Sequence, residues 1–109
     1  MASNLVFDIT DLNFQQEVVG SKGLVLVDFW APWCGPCRLL GPIVEEVAEL
    51  LKDKVKVCKM NVDDSPETSS QFGIRSIPTL ILFKEGKKID IKVGSLAKIA
   101  MKDWIESHS

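Results

Sequence analysis

Cysteine and histidine are scarce in this chain, which has three cysteines and one histidine in 109 residues. Three is an odd number, and too few for the dense disulfide framework that holds many small secreted domains together. Long apolar runs are absent too, because a stretch such as LVLV at positions 24–27 ends after four residues, whereas a membrane-spanning helix needs about 20. These absences exclude a disulfide scaffold and a transmembrane helix.

A strong charge of one sign is also lacking. The formal net charge is −2, which argues against a general binder of nucleic acids. The first ten residues, MASNLVFDIT, contain neither the basic segment and apolar run of a secretory signal nor the arginines of a transit peptide. We therefore expect a soluble, cytoplasmic protein without membrane association, unless a presequence has been removed.

Apolar residues, by contrast, are plentiful at 46% of the chain. A chain of this length can bury roughly two-thirds of its unfolded surface, which is enough for one core. The sequence contains no internal repeat, low-complexity tract or linker. We therefore expect residues 1–109 to form a single domain.

The hydrophobic pattern predicts the element order βαβαβαββα. The predicted strands are NLVF, LVLVDFW, KVKVCKMNV, TLILF and KIDIKV, and the predicted helices are DLNFQQEVV, CGPCRLLGPIVEEVAELLKD, DDSPETSSQFG and SLAKIAMKDWIESH. A helix between two buried strands indicates a right-handed parallel crossover, and Glu85-Gly86 indicates a closing hairpin. The expected fold is α/β, with a mixed sheet and helices on both faces.

Three of these elements carry more detailed expectations. The long helix should bury one apolar stripe, made of Cys37, Leu40, Val44, Val47 and Leu51, and should kink at Pro42. The helix in DDSPETSSQFG should begin at a cap provided by Asp64 or Ser65. The last strand alternates Ile89, Ile91 and Val93 with Lys88, Asp90 and Lys92, so we expect an edge strand whose isoleucine and valine side chains are buried.

The segment FWAPWCGPCRLL places Cys34 and Cys37 three positions apart at the head of the long helix. A structural zinc site usually needs four ligands, and no second cysteine pair is available. A structural disulfide would close a very small loop, which stabilises a fold least. Redox exchange fits better, because residues i and i+3 of a helical turn have Cβ atoms about 5–6 Å apart.

The two cysteines are expected to play different parts in such an exchange. Cys34 lies where unpaired N–H groups and the helix dipole favour a thiolate, so it should be exposed and nucleophilic. Cys37 lies on the apolar stripe and should be shielded and protonated. Pro36 suits the first helical turn because it has no N–H to lose, and Gly35 leaves the approach to the sulfur open.

With the sequences WCGPC, FGIRSIPTLILFKEG and KVG, the chain resembles the thioredoxin family over essentially its whole length. The resemblance implies a thioredoxin fold, with a five-stranded mixed sheet flanked by four helices. It also implies a monomeric protein-disulfide reductase that binds no cofactor or metal. Its Cys34–Cys37 disulfide would be reduced by a flavoprotein, thioredoxin reductase, which draws on NADPH, and its substrates would be disulfide-containing proteins.

Asp28 interrupts the apolar strand LVLVDFW and shares its parity with Leu24, Leu26 and Trp30. We therefore expect a buried carboxyl with a raised pKa, although an acid at a frayed strand end is the simpler alternative. In the thioredoxin family, which the chain resembles, the acid that matches Asp28 lies behind the buried cysteine and assists its deprotonation. Lys59 matches the lysine beside that acid, and would otherwise be read as an ordinary strand lysine.

Pro78, in the sequence SIPT, would ordinarily be assigned a trans peptide bond, because only about 5–6% of X–Pro bonds in folded proteins are cis. The resemblance implies instead a cis-proline that faces the disulfide. It also implies a docking rim for an extended substrate. The rim consists of Trp33, Ser76, Ile77, Val93, Gly94 and Ser95, which could otherwise be ordinary loop residues.

Two other functions stay open at this point. The exposed rim could serve a non-catalytic binding module, and the chain could be an oxidant or isomerase. Such oxidants tend to carry a histidine between the cysteines, and the uncharged Gly35-Pro36 argues against that class.

Cys58, in the middle of a strand, is expected to be a buried and inert thiol, with a regulatory thiol as the alternative.

Overall fold

A mixed sheet of five strands forms the centre of the protein in a computed structural model that describes residues 5–109. The strands are β1 (Val6–Ile9), β2 (Leu24–Trp30), β3 (Val55–Asn61), β4 (Thr79–Lys84) and β5 (Lys87–Val93), in the spatial order β1-β3-β2-β4-β5. β1 and β2 both run parallel to β3, whereas β4 runs antiparallel to β2 and to β5. This confirms the predicted mixed sheet.

Three helical segments connect strands, and a fourth follows β5. They are a π-helical segment (Gln15–Val19) and the helices α1 (Gly35–Leu50), α2 (Pro66–Gln71) and α3 (Lys98–Glu106). The predicted helix DLNFQQEVV is thus confined to its second half. The predicted strand NLVF is shifted, because β1 begins at Val6, and Asn4 lies outside the described residues. None of the helices described between residues 5 and 109 could span a membrane.

The alternation of side chains along the strands creates a core on each face of the sheet. On one face, Leu24 and Leu26 of β2 pack with α1 and α3 through residues such as Val44 and Ile105. On the other face, Val25, Val27 and Phe29 of β2 pack with the π-helical segment and with Phe72, which follows α2. Helices therefore cover both faces, as the apolar residues at both parities of β2 predict.

Helix α1 buries its predicted apolar stripe. Exposure is no more than 3% at every position of the stripe, which consists of Cys37, Leu40, Val44, Val47 and Leu51. The helix begins after Cys34, which is its N-cap, and ends before Leu51. Pro42 lies inside it, as predicted. Because the stripe faces β2 and β3, α1 holds its N-terminal end, and with it both cysteines, at a fixed place above the sheet.

Helix α2 receives its N-terminal cap from a distant residue. Ser65 occupies the N-cap position, but its side chain makes no capping hydrogen bond. The carboxylate of Asp11 accepts the N–H groups of Glu67 (3.1 Å) and Thr68 (2.8 Å) instead. Ser65 in turn accepts the N–H of Asp11 at 3.2 Å. Ser65 is therefore the N-cap residue, as predicted, but a carboxylate carried by a loop 56 residues away accepts the N–H groups that its own side chain leaves free.

Strand β5 is the predicted edge strand, but the expectation that it buries Ile89, Ile91 and Val93 is wrong. These side chains are 39%, 36% and 65% exposed. Helix α3 covers the opposite face of the strand, where the Asp90 carboxylate accepts the indole N–H of Trp104 at 2.8 Å and lies 2.9 Å from His108 Nε2. Hydrogen bonds thus allow a polar side chain to face the helix.

Candidate active site

Cys34 and Cys37 form a disulfide at the head of α1, with their Cα atoms 5.3 Å apart. Cys34 is the N-cap residue, and its Sγ accepts the backbone N–H of Cys37 at 3.2 Å. A sulfur in this position receives the helix N–H that a capping oxygen usually accepts. After reduction, the same N–H and the positive end of the helix dipole would favour a thiolate at Cys34.

Both cysteines are buried in the disulfide form, Cys34 at 5% exposure and Cys37 at 3%. The expectation that Cys34 is exposed is therefore wrong for this state. Ala31 and the half-buried Trp30 and Ile77 pack around the pair, and the carbonyl oxygen of Ile77 lies 3.8 Å from Cys34 Sγ. The surrounding side chains limit access to Cys34, so an attacking or attacked partner must dock closely against this surface.

The Ile77–Pro78 peptide bond is cis, as predicted. The Pro78 carbonyl accepts the N–H of Gly94 at 2.8 Å, and Thr79 pairs with Val93 across the β4–β5 ladder. These bonds hold the turn at Val93, Gly94 and Ser95 beside the loop that carries Ser76, Ile77 and Pro78. Two predicted parts of the docking rim, 17 residues apart in sequence, therefore lie side by side.

Trp33 is the most exposed large apolar residue of this surface, at 70% exposure. Its indole N–H donates to the carboxylate of Asp63 at 2.9 Å. Val93 is 65% exposed, and Gly35 and Pro36 are exposed as well. The buried cysteines are thus bordered by exposed apolar groups. Asp63 is not identifiable from the sequence, because nothing in NVDD distinguishes it from a solvated acid.

Asp28 is 1% exposed, which confirms its predicted burial. It lies on the face of β2 that carries Leu24 and Leu26, and this is the face against which α1 packs. Neither carboxyl oxygen has a hydrogen-bond partner within residues 5–109. Burial of this unpaired carboxyl raises its pKa from 3.8 to about 7, against the opposing effect of Lys59. A carboxyl of this kind can exchange a proton near neutral pH.

Lys59 is the direct cross-strand neighbour of Asp28 in the parallel β2–β3 pair. It is half-buried, and its Nζ lies 4.3 Å from the centre of the Trp30 ring, within the range of a cation–π contact. Its positive charge lowers the pKa of Asp28 and so partly offsets the effect of burial. The structure therefore brings together the acid and the lysine that the resemblance predicts to be neighbours.

Cys58 follows Val57 in β3 and therefore projects to the opposite face of the sheet from α1. It is fully buried and forms no disulfide. Burial raises the pKa of its thiol to about 11, so it is almost entirely protonated at neutral pH. This agrees with the prediction of an inert thiol. Within the described part of the chain, no cluster of histidine, cysteine and carboxylate side chains could hold a metal ion.

Comparison with known proteins gives a consistent result. The family model described as Thioredoxin matches residues 5–107. A protein named Thioredoxin from Rickettsia bellii is 53% identical over 108 residues, which cover 99% of each chain. Thioredoxin 1 from a Nostoc species is 52% identical over 100 residues, which cover 92% of this chain and 94% of the relative.

Proposed function

The chain belongs to the thioredoxin family and is a protein-disulfide oxidoreductase that exchanges dithiols with disulfides, and from this premise we propose that Cys34 is its nucleophile and Cys37 its resolving thiol. The redox group is part of the chain, since it is the Cys34–Cys37 disulfide itself. The observation that carries the assignment is the position of Cys34 Sγ, which accepts the Cys37 N–H at the head of α1.

The reaction starts from the reduced protein. The Cys34 thiolate attacks one sulfur of a client disulfide, and the other client sulfur leaves as a thiolate that takes up a proton. Cys37 then loses its proton and attacks the Cys34 sulfur of the mixed disulfide. The Cys34–Cys37 disulfide forms and the second client thiol is released. Two electrons and two protons pass to the client in total.

The different positions of the two cysteines support this order. The N–H donor and the helix dipole both stabilise a negative charge on Cys34. Cys37 lies one turn further along, on the stripe with Leu40 and Val44, where a low-polarity environment favours its protonated form. Gly35, between them, carries no side chain that would obstruct a client approaching Cys34.

We assign Asp28 the role of proton acceptor for Cys37 in the resolving step. Its carboxyl lies under α1, the helix that carries Cys37, and its pKa of about 7 is close to the pH at which acid–base catalysis is most effective. Lys59 keeps part of the Asp28 population ionised at this pH. Asp28 therefore acts on the reacting proton, and Lys59 acts through Asp28.

We propose that the surface around Cys34 binds the client. It consists of Trp33, Gly35, Pro36, Ser76, Ile77, Pro78, Val93, Gly94 and Ser95. Pro78 is buried in this surface, and Ile77 and Gly94 are half-buried. The client would lie in an extended conformation beside the Ile77 backbone, where main-chain hydrogen bonds give affinity without requiring a particular sequence. The hydrogen bond from Trp33 to Asp63 reduces the entropy that a mobile indole would lose on binding.

The oxidised protein must be returned to its dithiol form by a donor of two electrons. We propose a flavoprotein, thioredoxin reductase, which takes its electrons from NADPH, and we place the cycle in the cytoplasm with a monomeric protein. Two exposed and uncharged residues, Gly35 and Pro36, lie between the cysteines. This dipeptide gives no extra stabilisation to the Cys34 thiolate, which suits a reductant more than an oxidant.

Reduction of insulin by dithiothreitol tests the proposed activity. Catalytic amounts of the protein should accelerate the precipitation of the insulin B chain, and the double variant Cys34→Ser, Cys37→Ser should not. The Cys58→Ser variant is the matched control, because it also removes a thiol but leaves the proposed site intact. If the native chain and the double variant gave the same rate, the assigned reductase activity would be wrong.

A further inference from the structure

An open groove lies next to the disulfide, along the first turns of α1. It has a volume of about 670 Å³ and is lined by Gly35, Pro36, Arg38 and Leu39. Leu39 is 76% exposed, although its neighbour Leu40 is buried. The groove begins at two residues of the proposed docking surface, Gly35 and Pro36, and extends it along the helix.

Arg38 occupies a position that does not favour a cation. It lies at the end of the first turn of α1, where its N–H donates to the carbonyl of Cys34. The positive end of the helix dipole is in this turn, so that acidic residues are stabilised there and basic ones are not. Within residues 5–109 Arg38 makes no ion pair. Its charge is therefore available to a ligand.

We propose that Arg38 and Leu39 form a second client subsite, which binds an acidic side chain next to an apolar one in the polypeptide that is being reduced. The proposal rests on the proposed function and adds a substrate preference to it. The exposed leucine offers apolar surface to the client, and the unpaired guanidinium can bind a carboxylate in a bidentate manner. The subsite selects clients, while the disulfide chemistry is unchanged.

Three client peptides with one internal disulfide each would test the subsite. They differ only in the dipeptide beside the attacked cysteine, which is Leu-Glu, Leu-Lys or Ser-Glu. The rate of single-turnover reduction is measured for each peptide and divided by the rate with hydroxyethyl disulfide. That substrate is uncharged and too small to reach both side chains, so any change in Cys34 reactivity cancels in the ratio.

For the native chain, the Leu-Glu peptide should react about two- to fivefold faster than the Leu-Lys peptide, as an exposed ion pair allows, and 0.5 M salt should reduce this preference. Arg38→Glu should reverse it. Leu39→Ala should remove a preference of similar size for Leu-Glu over Ser-Glu. Leu50→Ala and Lys52→Glu are the matched controls, because they change an exposed leucine at the last position of α1 and an exposed lysine two residues beyond it. Both should leave the ratios at their native values.

Equal ratios for all three peptides would overturn the subsite, and so would an Arg38→Glu variant that slows hydroxyethyl disulfide and every peptide alike. That second result would show that Arg38 acts on the Cys34 thiolate alone. In both cases the native chain still reduces disulfides, and the proposed function stands. Failure of the native chain to reduce even hydroxyethyl disulfide would instead contradict the proposed function.

Discussion

Replacement of Asp28 by asparagine should stabilise the fold at alkaline pH and slow the reaction. The amide has nearly the shape of the carboxyl but cannot ionise. Asp28 is 1% exposed, and neither of its oxygens has a hydrogen-bond partner within residues 5–109. The native fold must therefore hold an unpaired negative charge in its interior whenever the pH exceeds the pKa of Asp28, and the variant need not.

The size of the effect follows from the pKa. Burial raises it from 3.8 to about 7, a change of about three pKa units, and each unit corresponds to 1.36 kcal/mol. Ionisation of Asp28 thus costs the folded state at most about 4 kcal/mol. For a small domain this is a large fraction of the whole free energy of unfolding, which is typically about 5–15 kcal/mol.

The direction of the pH dependence follows from proton linkage. Below about pH 4 the carboxyl is protonated in both the folded and the unfolded chain, and it contributes nothing. Between about pH 4 and pH 7 only the folded chain keeps the proton, so the free energy of unfolding falls as the pH rises. Above about pH 7 both states are ionised and the full cost remains. Asp28→Asn should therefore gain stability relative to the native chain across this window.

Urea unfolding of the oxidised protein at pH 4 and at pH 8 measures this difference. The free-energy difference between variant and native chain should grow by several kcal/mol from the lower pH to the higher. Asp53→Asn, at an exposed carboxyl outside the site, is the matched control. The reasoning would be refuted if the difference in free energy of unfolding between variant and native chain stayed constant with pH. It would also be refuted if the native chain became more stable relative to the variant as the pH rose.

The kinetic effect of Asp28→Asn separates the proposed role of Asp28 in catalysis from its role in stability. If Asp28 accepts the Cys37 proton, resolution of a mixed disulfide should slow by on the order of 10²-fold, and its rate should lose the dependence on a group with a pKa near 7. The attack by Cys34 should change far less. Quenched-flow sampling of the mixed disulfide measures both steps, and an unaltered resolution rate would remove Asp28 from the mechanism.

Two further predictions concern residues outside the exchange reaction. Cys58→Ser should leave the rate of insulin reduction within about twofold of the native value. It should lower the free energy of unfolding by about 1–3 kcal/mol, because a hydroxyl replaces a fully buried thiol. A loss of activity in the folded variant would show that Cys58 is not inert. Asp90→Asn should destabilise the protein at pH 7, because the hydrogen bond from Trp104 lowers the pKa of Asp90 to about 2. The stability that this low pKa contributes is present above about pH 4 and is lost as the pH falls through 2. In urea unfolding, the free-energy difference between the native chain and Asp90→Asn should therefore be smaller at pH 2 than at pH 7. An equal difference at both pH values would contradict this prediction.

The parts of the fold that were predictable from the sequence are those encoded by local pattern. The apolar residues of LVLVDFW at both parities predict a strand with a core on each face, and the spacing of Cys37, Leu40 and Val44 predicts which side of α1 is buried. The burial of Asp28 followed from its parity in β2. The cis peptide bond at Pro78 did not follow from pattern, and was expected only from the resemblance to thioredoxins.

The features that local pattern did not reveal depend on contacts between distant residues. Asp11 caps α2 from a loop 56 residues away, and no local pattern in DDSPETSSQFG contains this information. The isoleucines of β5 are exposed, and on the opposite face of the strand Asp90 accepts a hydrogen bond from Trp104 of α3, a contact that the alternation in KIDIKV does not reveal. Cys34 is shielded partly by Ile77, 43 residues further along the chain. In each case tertiary contacts override the local preference.

The order of attack by the two cysteines is the central claim, and capture of a mixed disulfide tests it most directly. Reduced Cys37→Ser and Cys34→Ser proteins would each be incubated with a disulfide-containing client and examined on a non-reducing gel and by mass spectrometry. Cys37→Ser should accumulate a client adduct that dithiothreitol releases, because Cys34 still attacks and no resolving thiol remains. Cys34→Ser should form almost none. Equal adducts from the two variants, or adducts from Cys34→Ser alone, would contradict the assigned roles.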